Sequence, residues 1–146
     1  MKIIKSINND YYLISGYASV YNVIDQHNDI IIKGAFVYST PTQVKLLWQH
    51  NHLTPIGIIK SLHEDNYGLK FTGIINANIR IGMETATLIQ QGAIKDLSIG
   101  IIPNGHYYNK SNQRVITNAD LIEISIVTFP ANQYAQINYI EHSKSS

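Results

Sequence analysis

Asp120-Leu121-Ile122-Glu123-Ile124-Ser125-Ile126-Val127-Thr128-Phe129-Pro130-Ala131-Asn132 is the stretch from which the fold is read. From Leu121 to Phe129 it is β-branched and apolar, with one charge, Glu123, and it closes on a proline. That composition suits a packed strand. Alternation places Glu123, Ser125 and Val127 on one side and Ile122, Ile124 and Ile126 on the other. A single carboxylate in such a run must find a partner or be costly to bury.

Working outward, similar runs of isoleucine, valine, tyrosine and threonine recur between clusters of Asn, Asp, Gly and Pro. They predict strands over about residues 2–7, 11–21, 43–50, 55–63, 67–75, 96–102, 106–109, 113–116 and 120–129. Turn residues predict reversals at Asn66-Tyr67-Gly68 and at Pro103-Asn104-Gly105. One segment changes period: Ile81, Thr85, Leu88 and Ile89 are spaced for a helix over Ile81 to Gln91, with Gly92 placed to end it. Many strands with one main helix make the chain mainly β with a flanking helix (α+β). The expected architecture is a closed or nearly closed antiparallel β-barrel, which removes exposed sheet edges. One domain is expected over residues 1–142, with residues 143–146 fraying.

At 146 residues the chain can bury roughly 70% of its unfolded surface, enough for a core without staples. No cysteine is present, so disulfides, thiolate metal sites and cysteine nucleophiles are excluded together. A net charge of +1 with 14% charged residues gives no basic field for nucleic acid, so the ten tyrosines are expected to pack on strand faces. No apolar run approaches the ~18 residues of a membrane-spanning helix. The first ten residues lack the apolar stretch of an export signal. No membrane association and no secretion are expected.

Three residue types offer hydrolytic chemistry. In Leu97-Ser98-Ile99-Gly100-Ile101, alternation sets Ser98 and Gly100 on one face, leaving room beside the hydroxyl for a peptide backbone. His50 closes the apolar run Val44-Lys45-Leu46-Leu47-Trp48-Gln49-His50, and an imidazole suits the general base that a serine nucleophile needs. His52 would share a face with His50 on an extended chain, so spacing does not choose between them. Glu123 is the isolated carboxylate that could orient an imidazole. Two metal readings compete: His50, His52 and His63 with Glu64 and Asp65 as a zinc site of a metal hydrolase, and the polar turn Asp25, His27 and Asp29 as a cation site. Gly-x-Ser-x-Gly, phosphate-loop and His-Glu-x-x-His patterns are missing, which argues against α/β hydrolases, nucleotide enzymes and zincins.

Taken in order, several blocks resemble the prohead maturation protease family of tailed phages, which is similar in fold to the herpesvirus capsid-maturation proteases. The blocks are Gly16-Tyr17-Ala18-Ser19-Val20-Tyr21 with Asp25 and Asp29, Lys33-Gly34-Ala35-Phe36, Leu47-Trp48-Gln49-His50-Asn51, Pro55-Ile56-Gly57 and Tyr67-Gly68-Leu69-Lys70-Phe71-Thr72-Gly73. Gln91 through Ile101 and Leu121 through Asn132 complete the set. The resemblance implies a herpesvirus-protease type of barrel and a serine endopeptidase with Ser98 as nucleophile, His50 as base and Glu123 as third member. Asp120 is the alternative carboxylate. It further implies scaffold and major capsid protein segments as substrates, action inside the immature capsid in the bacterial host's cytoplasm, no cofactor, and a homodimer. The rival from another class is a non-catalytic capsid-assembly or scaffold-binding module on the same fold.

Overall fold

The computed structural model describes residues 10–144. The expected strand over residues 2–7 lies outside them. Nine strands occur among the described residues: β1 (Asp10–Val20), β2 (Asp29–Ile31), β3 (Phe36–Val37), β4 (Lys45–Trp48), β5 (Asn51–Glu64), β6 (Gly68–Asn76), β7 (Asp96–Tyr108), β8 (Arg114–Val127) and β9 (Ile137–Lys144). One α-helix, α1 (Arg80–Gln91), separates β6 from β7. It buries Gly82, Thr85, Ala86 and Ile89, and Gly92 ends it at φ 83°. This agrees with the helical period and the left-handed stop read from the sequence.

The long apolar strand β8 is the hub. Along one edge it pairs antiparallel with β7. Along the other edge it pairs in succession with β2, β3 and β4, all parallel to it, through Asp29 opposite Arg114, Phe36 opposite Ala119 and Lys45 opposite Glu123. The order then runs β4-β5-β6-β1-β9 through antiparallel pairs. Ile14, Leu46, Ile56, Phe71, Leu97, Ile124 and Ile126 are buried in the shared core.

Two features depart from a closed, wholly antiparallel barrel. The sheet is mixed, because three short strands share one edge of β8 in parallel. It is also not closed by a hydrogen-bonded ladder. Its ends meet only near the start of β7, at an isolated Asp96–Gln136 bridge, where the Leu97 N–H donates to the Ala135 carbonyl (2.9 Å) and the Ile137 N–H to the Lys95 carbonyl (2.8 Å).

Local differences have physical causes. Pro103-Asn104-Gly105 does not reverse the chain; β7 runs through it, and the lost proline donor is absorbed where the register slips between Pro103 and Gly105. The two segments expected on either side of residues 117–119 likewise form one strand, β8. Strands β2, β3 and β9 were not expected. Ser143 and Lys144, in the expected tail, pair with Tyr11 and Asp10 of β1.

Candidate active site

Cross-strand partners share a face of a sheet. In the β7–β8 ladder Ser98 lies opposite Ser125, and Gly100 lies opposite Glu123. Ser98, Ser125 and Glu123 therefore share one small polar patch, with Gly100 beside the carboxylate. Glu123 is 3% exposed, Ser98 7% and Ser125 fully buried, and of the three Ser98 lines a cleft. No hydrogen bond among the described residues occupies the Ser98 hydroxyl.

His50 arrives from the opposite edge of β8. Strand β4 runs parallel to β8, with Leu47 opposite Ser125 and Trp48 opposite Ile126. Gln49 and His50 then form the two-residue turn into β5, at φ 53° and 59°. Two adjacent left-handed residues are what a tight hairpin demands, yet neither is the usual Gly or Asn. Residues at the end of β8 and just after it hold the turn in place. The Gln49 N–H donates to the Ile126 carbonyl (2.9 Å) and Gln49 Nε2 to Thr128 Oγ1 (2.7 Å), while the Thr128 N–H donates to Gln49 Oε1 (3.1 Å). The His50 N–H donates to Ser125 Oγ (3.0 Å).

This turn sets His50 Nδ1 2.7 Å from Glu123 Oε2. The Ser125 hydroxyl donates to the other carboxylate oxygen, Oε1, at 2.7 Å. With both oxygens accepting, the ring proton sits on Nδ1, and Nε2 of a neutral imidazole keeps its lone pair. The imidazole is 43% exposed and lines the same cleft as Ser98. Such a set of groups can hold an imidazole in one tautomer beside an unengaged hydroxyl.

The cleft has a volume of about 440 Å³. Ser98, Gly100 and His50 line one part of it, with Ala131 and Asn132 from the loop after β8. Asn132 Nδ2 donates to the Val20 carbonyl (3.0 Å), and the Gln26 N–H donates to the Ala131 carbonyl (3.0 Å), which fixes that loop against the segment after β1. Another part carries Asp25, His27, Asp29 and Arg114. Arg114 grips Asp29 with two parallel bonds, Nε to Oδ1 at 2.7 Å and Nη2 to Oδ2 at 2.8 Å. The Asp29 hydrogen bond, ahead of the opposing desolvation, raises the guanidinium's pKa. Burial pushes the Asp25 carboxyl up, against the N–H groups of Asp29 and His27 that donate to it. Ser19 also lines the cleft, and its hydroxyl is the buried side-chain polar atom without a partner among the described residues.

The structure thus brings Ser98 and His50 to one cleft and Glu123 to the imidazole. His52 is not with them: the left-handed turn breaks the extended geometry, and His52 is exposed on β5, lining a separate groove with Thr42, Lys45 and Pro55. Asp120, opposite Ile102 and Val37, makes no hydrogen bond to the imidazole among the described residues. Neither metal reading gains a convergent donor set, since no group of three or more His, Asp or Glu side chains among the described residues could hold an ion. Sequence reasoning left out Ser125, Gln49, Thr128 and Arg114. Ser125 carried a signal, because alternation already put it beside Glu123.

The fold is that of the herpesvirus proteases. The KSHV protease, solved with a hexapeptide phosphonate inhibitor, superposes with a TM-score of 0.55 at 13% identity, over 92% of this chain and 66% of that one. The protease of varicella-zoster virus gives 0.52 at 14% identity, over 90% and 64%. Within that class the chain belongs to the caudovirus prohead serine protease family, whose sequence profile matches residues 2–146. A curated relative is the prohead protease of Enterobacteria phage HK97, 34% identical over 131 residues that make up 86% of this chain. The chain spans 58% of that relative's length. Among the described residues, no helix is long and apolar enough to cross a membrane.

Proposed function

We propose that the chain is a serine endopeptidase that cleaves scaffold and capsid-protein segments during maturation of a phage prohead. The observation that carries this reading is the 2.7 Å contact between His50 Nδ1 and the buried Glu123 carboxylate, with His50 and Ser98 lining one cleft. Membership of the prohead protease family supports the substrate class and a place of action inside the immature capsid in the host cytoplasm. A homodimer is proposed as the assembly, on the resemblance to the herpesvirus proteases. The meeting of the sheet ends at Asp96 and Gln136 supports a nearly closed barrel as its architecture.

In the proposed reaction, Ser98 Oγ attacks the scissile carbonyl carbon while His50 Nε2 takes the hydroxyl proton. Glu123 holds Nδ1–H and stabilises the imidazolium that forms. The imidazolium returns the proton to the leaving amine as the C–N bond breaks, giving an acyl-serine. Water, deprotonated by the same nitrogen, then hydrolyses the ester. Gly100, two residues along the strand from Ser98, leaves room for the Glu123 carboxylate rather than for the substrate backbone that the sequence pattern suggests.

The test is to incubate wild type and Ser98→Ala with the scaffold protein and follow fragments by mass spectrometry. Loss of such a nucleophile costs on the order of 10⁶ in turnover, so the variant should yield no fragments on the wild-type timescale. Undiminished cutting by the variant would end the serine mechanism. Stable scaffold binding without turnover by the wild type would favour the non-catalytic module.

A further inference from the structure

One hydroxyl holds the His50 backbone and its carboxylate partner together. Ser125 Oγ accepts the His50 N–H at 3.0 Å and donates its own hydrogen to Glu123 Oε1 at 2.7 Å. Ser125 is fully buried, and Glu123 is 3% exposed. A serine hydroxyl has a single hydrogen to give, so its donor capacity is spent on Glu123. The flanking Ile124 and Ile126 have no polar side-chain atoms, and the Thr128 hydroxyl is engaged by Gln49.

We propose that Ser125 is a positioning residue for the general base, fixing in one bond the carboxylate that partners His50 and in another the left-handed turn that carries it. This rests on the peptidase reading above and adds to it a group outside the expected three. Its physical consequence is twofold. Without the Oγ acceptor, the His50 N–H loses its side-chain tether to β8, and the ring is free to drift from its contact with Glu123. Without the Oγ donor, the buried carboxylate keeps only the imidazole as a side-chain hydrogen-bond partner.

The second consequence has a definite sign. The Glu123 charge is most exposed when the imidazole is neutral, so loss of the Ser125 donor disfavours that state more than the ion pair. The imidazole then holds its proton to higher pH. Glu123 of β8 is the charged group in contact with His50. The other titratable groups lining the cleft are Asp25 and His27 in the loop before β2, Asp29 of β2 and Arg114 at the start of β8, and none is changed by a substitution at position 125.

The experiment uses the full chain as wild type, Ser125→Ala, Ser125→Cys and Ser125→Thr. The His50 ring titration is followed by NMR, assigned by the resonance lost in His50→Gln, alongside kcat and KM on a scaffold-derived peptide. Ser125→Ala should raise the titration midpoint by about half a unit or more and lower kcat on the order of tenfold to a hundredfold, with KM little changed. Ser125→Thr keeps the hydroxyl and should restore both. Ser125→Cys, close in shape but a weak donor, should show the same upward shift and stands in should the alanine variant not fold. An unmoved midpoint in a folded Ser125→Ala or Ser125→Cys variant overturns the proposal, whatever happens to thermal stability. The titration reads without turnover: a shifted midpoint in a chain that cleaves nothing would sink the peptidase reading and leave the hold of Ser125 on His50 standing.

Discussion

Gly100 lies directly opposite Glu123 across the β7–β8 ladder, and a Cβ at position 100 would sit 2.7 Å from Glu123 Oε2 and 2.8 Å from its Cγ. The glycine is therefore the slot into which the carboxylate fits. Glu123 cannot swing aside freely, because it is buried and both its oxygens are engaged.

Gly100→Ala should displace the carboxylate from His50. A displacement near 1 Å costs on the order of 100-fold in rate for a positioned group, and overpacking the site costs about 1–3 kcal/mol of stability. Steady-state kinetics and urea denaturation read the two effects. A fully active, equally stable Gly100→Ala would mean that Glu123 has slack that its contacts do not suggest.

The two neighbouring histidines should separate cleanly. His50→Ala should lose activity by several orders of magnitude, approaching the loss seen when a triad base is removed. His52→Ala, exposed and away from the cleft, should stay within about twofold of wild type, as surface changes usually do. Cleavage assays on the two variants in parallel decide it, and the reverse ranking would reassign the base.

Arg114→Met should destabilise the fold by unpairing Asp29, whose side chain is 9% exposed. Breaking a fully buried pair costs about 3–5 kcal/mol, and since the Arg114 side chain is 34% exposed, about 2–3 kcal/mol is expected. Adding Asp29→Asn to Arg114→Met should recover part of the loss, because no buried charge then lacks its partner. Urea midpoints of the two variants test this. A double variant less stable than the single one would contradict it.

Asp25 gives a pH dependence of known sign. Burial, opposed by the N–H bonds from Asp29 and His27, raises its pKa in the folded protein above the unfolded value. Its contribution is thus fully present below the unfolded pKa and is lost as pH rises through the folded one. Asp25→Asn keeps the Oδ1 acceptor and removes the charge. Its urea midpoint should exceed that of wild type at pH 7, with the gap closing toward pH 3. A gap that widens on acidification would reverse the assignment.

Much of this fold was legible because period and burial agree: the helix ending at Gly92, the strands around Ile14, Leu69 and Ile124, and the lone carboxylate at Glu123. What escaped depends on distant partners. The Gln49–His50 turn has no Gly, Asn or Asp to announce it and is held by Ser125 and Thr128, more than seventy residues along the chain. Strands β2 and β3 are three and two residues long, too short to show alternation, and exist because the edge of β8 is there to pair with. Strand β9 alternates poorly, with a burial pattern set by its position at the end of the sheet. The parallel register of β4 follows from the same hub, and it is this register that carries His50 to Glu123.

The reaction at Ser98 is tested most directly by covalent capture. The full chain is treated with a serine-directed peptidyl phosphonate and mapped by intact mass and peptide mass spectrometry. A single adduct on Ser98 is expected, absent from Ser98→Ala and slowed strongly in His50→Ala and Glu123→Gln. An adduct on a different serine, or scaffold cleavage that persists once Ser98 is fully labelled, would contradict the assignment of Ser98 as nucleophile.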